Sequence, residues 1–305
     1  MAFVKASKKK SKLRLAITGP SGSGKTYGAL LIAKGIGGKI ACIDTERGSA
    51  SLYEHIVDFD VQELSPPFSP ESFVRAIKEA ESAGYDVLII DSATHEWNGS
   101  GGALEIAEQV GRSKFRGNTQ AAWSEVTPRH QAFIDAMLQS NMHIIATSRS
   151  KTETAQAEKD GRKVLTKLGM KNEQRPGFEY EFGVVLDLIH DGHYATASKD
   201  RTETEHNCAL FSGDPMPITE ETGRKLLAWL NDGDEVPVEN QLITAIKKAE
   251  TIDELKDAYV QGVKSANGDN NLTSQLTQAK DVRKSQLSKV DVKSPEQIIS
   301  DAIGE

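Results

Sequence analysis

Gly19-Pro20-Ser21-Gly22-Ser23-Gly24-Lys25-Thr26 spells the pattern G-x-x-x-x-G-K-T, in which each residue type has a physical task. Glycines let successive backbone N–H groups turn inward around a β-phosphate, the lysine reaches β- and γ-phosphate oxygens, and the threonine hydroxyl takes one position on Mg²⁺. The flanks agree with a phosphate loop. Leu13-Arg14-Leu15-Ala16-Ile17-Thr18 is apolar enough for a buried parallel strand, and Tyr27 to Lys34 continues as a helix whose N-terminal dipole faces the anion. The spacing predicts a site for a nucleoside triphosphate with Mg²⁺, contacted by Gly19, Pro20, Ser21, Gly22, Ser23, Gly24, Lys25, Thr26 and Tyr27, with Thr26 on the metal.

Working outward, strands alternate with helices, as a doubly wound, mostly parallel α/β sheet requires. Lys39 to Asp44 reads as a second strand, a helix follows the proline cluster from about Glu71 to Ala83, and Tyr85 to Asp91 is a third strand. Thr127 is expected to cap a helix with Pro128 at its first position, running to about Ser140. Met142 to Ser148 is a fourth strand. Tyr180 to Ile189 and His193 to Ser198 flank Asp191-Gly192, a dipeptide that favours a two-residue hairpin turn, and a helix from Glu220 to Asn231 closes the domain. Gly233 to Pro237 reads as a linker. Beyond it Leu242, Ile243, Ile246 and Ala249, then Leu255, Ala258 and Tyr259, then Leu272, Leu276, Ala279, Val282 and Leu287 recur at helical spacing, as the core of a small helical appendage would. The expected organisation is a basic arm over residues 1–11, a phosphate-loop domain over 12–232 and a helical domain over 238–305.

With 305 residues the chain can bury one sizeable α/β core and still build a second small unit. Cys42 and Cys208 make neither a disulfide framework nor a zinc site, which fits a reducing cytoplasm. No apolar run has the length of a membrane helix, and Met1-Ala2-Phe3-Val4 leads into lysines rather than a signal-peptide core, so no membrane partner is expected. The net charge of −7 argues against wholesale coating of nucleic acid, yet residues 1–14 carry six basic side chains and no acidic one.

A second chemical motif closes the third strand. Asp86-Val87-Leu88-Ile89-Ile90-Asp91 delivers a carboxylate to the carboxyl edge of the sheet, where Asp91 can hold the Mg²⁺ shell. Ser92 follows where many phosphate-loop ATPases place the water-activating glutamate, so the base comes from elsewhere. Glu46, ending Ile43-Asp44-Thr45-Glu46, is favoured; Glu96, in Thr94-His95-Glu96-Trp97, is the alternative.

Together these spacings resemble the RecA family of recombinases, across roughly residues 12 to 231. That family has a phosphate loop, an aspartate-x-glutamate carrying the base after the next strand, a strand ending Asp-Ser, and a polar sensor after the following strand. This chain offers Gly19 to Thr26, Asp44-Thr45-Glu46, Asp91-Ser92 and Thr147-Ser148-Arg149. Within the family it is most similar to short, phage-encoded RecA-core ATPases that act in single-strand annealing and recombination. The Asp91-Ser92-Ala93-Thr94-His95-Glu96-Trp97 stretch and the late Lys199-Asp200-Arg201-Thr202 carry that likeness.

The resemblance implies a RecA-like phosphate-loop fold, Lys25, Glu46, Asp91 and Thr147 as catalytic residues, and DNA-stimulated ATP hydrolysis in a host bacterium's cytoplasm. It implies single-stranded DNA as partner, a homo-oligomeric ring or filament, and a single-strand DNA-binding protein as a further partner. Lys199 and Arg201 would reach a neighbouring protomer's nucleotide. Two long connections would touch DNA: about His95 to Thr119, with Arg112, Lys114 and Arg116, and Arg149 to Arg175, with eight basic against four acidic residues. Trp97, Phe115 or Phe178 could stack bases, and Lys8 to Lys12 is a third basic candidate. Phe3-Val4-Lys5-Ala6 matches the Phe-x-x-Ala pattern by which related recombinases dock on a neighbour. A helicase loader, a packaging motor or a small-molecule kinase stays open as the other class.

Overall fold

The computed structural model describes residues 8, 10–159, 162–190, 193–203, 209–233, 238–266 and 269–290. The Phe3–Ala6 pattern, the Asp191-Gly192 turn, Cys208 and most of the expected linker lie outside them.

Residues 11–232 form one compact unit. At its centre β1 (Arg14–Gly19) lies between β5 (His143–Lys159) and β7 (Val184–Leu188). Outward from β5 come β4 (Val87–Asp91), β2 (Ile40–Asp44) and β3 (Asp60–Glu63); outward from β7 come β8 (Tyr194–Asp200) and β9 (Met216–Pro217). Six of these strands run parallel and β8 and β9 antiparallel, with β7 and β8 forming the late hairpin.

Alternation along the strands sorts apolar side chains into two layers. Leu15, Ile17, Ile89 and Ile145 face α1 (Lys25–Ile36) and α6 (Glu220–Asn231), packing against Leu30, Ile32, Leu226 and Leu230. Ala16, Leu88, Ile90, Ile144 and Ala146 face the other way, onto Phe73 and Ile77 of α2 (Pro70–Ser82) and Phe133 and Met137 of α5 (Thr119–Gln139). The result is a three-layer α/β fold. Where α1 meets α6 the backbones nearly touch: a Cβ at Gly223 would sit 2.2 Å from the Ile32 carbonyl oxygen, and one at Gly35 would sit 2.0 Å from that of Glu220. Only glycine permits that approach.

The helix before β5 begins earlier than the sequence suggests. Asn118 caps it by accepting from Ala121 N, and Pro128 sits inside α5 instead of at its first turn. The burial of Ala122, Val126, Phe133 and Met137 along one stripe outweighs the lost proline donor. At the other end the Arg14 guanidinium donates to the carbonyls of Leu138, Ser140 and Met142, a half-buried cation at a helix C-terminus. Burial lowers its pKa to about 10, with Glu81 opposing.

Among the described residues, both long connections form regular elements. The first folds as α3 (Thr94–Asn98) and α4 (Ala103–Lys114), whose Ala103, Ile106 and Ala107 pack on Val126. The second is a β-ribbon: β5 continues past the sheet and pairs antiparallel with β6 (Arg162–Asn172), from Ser150 opposite Asn172 to Lys159 opposite Arg162. Its sequence is rich in threonine, with Val164 and Leu165, and has Asp160-Gly161 between the strands. The same dipeptide rule applied at residues 191–192 would have found it.

By itself, the C-terminal unit packs α7 (Val238–Lys248), α8 (Ile252–Ala266) and α9 (Asn270–Val290) around Ile246, Leu255, Leu272 and Leu276. Val282, expected in that core, is instead 56% exposed. No helix among the described residues is long and apolar enough to cross a membrane.

Candidate nucleotide-binding site

A cavity of about 580 Å³ opens at the carboxyl edge of the sheet, where β1 passes into α1. Its floor is the phosphate loop, from Ser21 to Thr26. Gly24 sits at the start of α1 with φ near 90°, a left-handed conformation that costs glycine little, and no side chain caps the helix there. Its N-terminal N–H groups therefore point at the space an anion would fill. Gly19 and Pro20 stand behind this floor: the Pro20 carbonyl accepts from Lys25 Nζ at 2.8 Å. The Ser23 hydroxyl is buried with no partner among the described residues, a donor suited to a ligand oxygen.

Asp91 is the hub beneath. Its carboxylate is 1% exposed and accepts from Thr26 Oγ1 at 2.6 Å and from the Thr147 hydroxyl. Burial raises its pKa, against the pull of those two hydrogen bonds. Thr26 and Asp91 thus bring a hydroxyl and a carboxylate together at the cavity wall, hard oxygen donors of the kind Mg²⁺ takes. Lys25 is pushed below its ordinary value by burial, partly offset by Asp91 and Glu46 and reinforced by Arg149. Thr147 touches Asp91 and does not line the cavity.

Glu46 reaches this cavity although two strands, β4 and β5, separate β2 from β1. The turn after β2 explains how. Buried Asp44 accepts from the backbone N–H groups of Glu46 and Ala50, and Thr45 is knitted to the Asp91-Ser92 backbone through Ser92 N at 2.8 Å. With its neighbours so fixed, Glu46 projects over the mouth, where Arg149 Nη2 and Nε donate to its Oε1 at 2.8 and 3.1 Å. His95, 2.6 Å from the Thr45 hydroxyl, is held below the ordinary histidine range by burial and by Arg149.

Glu96 has the opposite setting. It is fully buried, its two oxygens are 3.0 and 3.1 Å from His130 Nδ1, and Gln174 Nε2 donates at 3.3 Å. It does not line the cavity, so the alternative base is sealed away from any nucleotide there.

Other sequence expectations divide. Tyr27 lines the cavity with Tyr53, their rings 6.0 Å apart edge to face, and with Leu52, Pro217 and Ile218 they form an apolar wall fit for a nucleobase. Lys199 and Arg201 are not at this site. β8 runs away from the cavity, so Lys199 lies about 20 Å of strand from His193, donating to the Tyr180 carbonyl. Burial and the nearby Arg201 charge lower its pKa. Phe178 is 3% exposed and packs on Phe182, which removes it as a base-stacking surface. Trp97 stacks on Trp123 at 5.3 Å, with the Arg175 guanidinium over the Trp123 ring. Arg112 pairs with Glu108, and Lys114 with Glu125.

Arg149 and His193 are among the cavity residues that motif reading passes over as site residues. His193 Nδ1 is 3.0 Å from the Ser23 carbonyl, so the residue that leads into β8 closes on the phosphate loop. Arg149 has a signal: it directly follows the expected fourth strand, and the β1–β5 register sets it beside Gly19. His193 has none, because its place depends on how a hairpin folds back.

Residues 11–216 match the protein family described as AAA domain, and the chain belongs to that family. It carries a phosphate-loop ATPase domain. No curated protein matches the chain.

Proposed function

We propose that this member of the AAA-domain family hydrolyses ATP while bound to single-stranded DNA, and promotes annealing or homologous recombination. The single observation that supports the DNA half is the continuity of β5. The strand that reaches the nucleotide cavity at Arg149 runs on into the β5–β6 ribbon, whose stretch from 149 to 175 has eight basic against four acidic residues. Two-stranded ribbons fit nucleic-acid grooves and backbones, and a surplus of lysine and arginine supplies phosphate contacts.

The chemistry follows from the cavity. The phosphate-loop N–H groups and Lys25 bind the β- and γ-phosphates, which requires Lys25 to exchange the Pro20 carbonyl for phosphate oxygen. Mg²⁺, held by Thr26 with Asp91 behind it, would supply charge neutralisation on the phosphate oxygens. Thr147 orients Asp91. Glu46 accepts a proton from the attacking water as its oxygen bonds to the γ-phosphorus, and the bond from that phosphorus to the bridging oxygen breaks, leaving ADP and phosphate. Lys199 and Arg201, displaced from their own subunit's cavity, serve the site of an adjoining protomer in a ring or filament.

ATP turnover measured with and without single-stranded DNA tests the proposal. Stimulation is expected. If the ribbon neutralises about four phosphates, log affinity against log salt should slope near −3, and neutralising Arg162, Lys163 and Lys167 together should flatten it. An unstimulated ATPase with no salt-dependent DNA binding would point to a loader, motor or kinase.

A further inference from the structure

We infer that His193 is a positioning residue for phosphate binding: its Nδ1–H holds the Ser23 carbonyl and so keeps the phosphate loop in the shape that takes an anion. The inference rests on the nucleotide-site reading above and is independent of the DNA reading.

The loop needs a hold from outside. Gly24 stands at φ near 90°, and glycine visits both hands of the φ range with little penalty, so the peptide joining Ser23 to Gly24 turns over easily when nothing restrains it. Helix α1 restrains the chain only from Gly24 onward, where the Gly24 carbonyl accepts from Gly28 N at 2.8 Å. Ser23 precedes that ladder. Its N–H donates to the Pro20 carbonyl over a long 3.3 Å, and its buried hydroxyl has no partner among the described residues.

His193 supplies the hold. Its Nδ1 lies 3.0 Å from the Ser23 carbonyl oxygen, and because a carbonyl oxygen can only accept, Nδ1 carries the proton. The Ser23–Gly24 peptide is trans, and a planar trans peptide points its C=O and N–H opposite ways. Drawing the carbonyl to His193 therefore fixes the Gly24 N–H on the other side. That N–H stands at the start of α1, among the donors that a helix leaves unpaired and offers to an anion. A peptide turned over would present an oxygen to the phosphates where a donor is needed.

The histidine is itself built in. Its backbone is left-handed, φ 54°, a conformation few side chains adopt and one that persists where the surroundings enforce it. Tyr194 follows in β8, its carbonyl accepting from Ile189 N at 2.8 Å, and Ala195 pairs with Leu188 of β7 and Met216 of β9. On the loop side the fit is close: a Cβ at Gly24 would lie 3.3 Å from His193 Nδ1. His193 is exposed at the cavity and absent from the buried core, so its hydrogen bond serves the loop and not the packing of the domain.

Equilibrium binding of inorganic pyrophosphate, ADP and a non-hydrolysable ATP analogue to the full-length protein, with Mg²⁺ present, tests the hold. His193→Asn keeps an N–H donor in the place of Nδ1 on a residue that tolerates left-handed backbone, whereas His193→Gly keeps the backbone and loses the donor. All three ligands should bind His193→Gly about three- to tenfold more weakly, the worth of one hydrogen bond between neutral groups, and should bind His193→Asn with nearly wild-type strength. If His193→Gly fails to fold, as judged by circular dichroism, His193→Ala, which also lacks the donor, takes its place. Wild-type affinity in the variant without a donor would overturn the inference, as would an asparagine variant that binds no better than it. A loss for both nucleotides that spares pyrophosphate would overturn it too, because the histidine would then be acting on the base or sugar. A wild type that binds none of the three would overturn the site reading, and the inference with it.

Discussion

Glu46 and Glu96 lie fifty residues apart in sequence and within one domain, and both look like candidates to activate water; their surroundings separate them. Glu46 stands at the mouth of a cavity, partly open to solvent, with a solvent-reachable arginine as partner. Glu96 is sealed between α3, α5 and the segment after β6, with His130 and Gln174 filling its oxygens. The difference teaches that a carboxylate's task is decided by access and partner. An exposed, exchangeable partner leaves a carboxylate able to take a proton from water, while a buried, fully occupied one ties elements together. Mutations at the mouth should therefore change rate and spare stability, and those at the seal should do the reverse.

The largest effect expected is at the mouth. Lys25→Ala removes the point charge on the γ-phosphate and should abolish turnover in a steady-state ATPase assay, with the melting temperature nearly unchanged. Turnover above about a tenth of wild type would break the comparison, because the cavity would then not be where chemistry happens. Arg201→Ala tests whether the mouth is complete without a neighbour. A trans-acting arginine contributes about 10³ to 10⁵ in rate, and mixing Arg201→Ala with Lys25→Ala protein should restore some activity where an intact phosphate loop meets an intact arginine. Full activity of Arg201→Ala alone would detach these residues from hydrolysis.

At the seal, Glu96→Gln should cost about 1–3 kcal/mol in denaturant unfolding, as it disturbs a buried hydrogen-bonded pair, with the turnover number intact. Equal loss of rate and stability would blur the two regions into one. The smallest effect sharpens the contrast by pH. His143 accepts from Leu13 N at 3.1 Å, and burial, with Lys12 and Arg14 adding, lowers its pKa from 6.5 to about 4. Between those values the unfolded chain binds the extra proton and the folded one does not. Stability is therefore full above about pH 6.5 and declines as pH falls toward 4, by about 3 kcal/mol. His143→Asn should flatten that decline, read by urea unfolding at pH 7 and pH 4.5, and leave the pH profile of turnover where it was.

The phosphate loop is legible in the sequence because its function is carried by backbone geometry that a fixed local spelling demands. Asp91 is legible because an apolar run that ends in a carboxylate sets that charge at the sheet's edge, where a cation beside the phosphates can meet it. The sheet is legible in outline from apolar runs, but β3 is not: Asp60-Val61-Gln62-Glu63 is a polar edge strand whose pairing with β2 supplies what its composition does not. Pro128 misleads because tertiary burial along α5 overrides a local rule. The ribbon reads as loop although Asp160-Gly161 and its threonines carry a signal, since a basic, partly polar stretch gives no one-sided apolar alternation. Arg149 and His193 belong to the site through register and hairpin closure, which are long-range facts.

Single-turnover hydrolysis of ATP by Glu46→Gln and Glu96→Gln, each saturated with nucleotide and compared with wild type at a temperature where all three are folded, addresses the division between mouth and seal most directly. Glu46→Gln should bind ATP and hydrolyse it at least about a hundredfold more slowly, the usual contribution of a positioned base, while Glu96→Gln hydrolyses at the wild-type rate. Normal hydrolysis by Glu46→Gln together with its loss in Glu96→Gln would contradict the account.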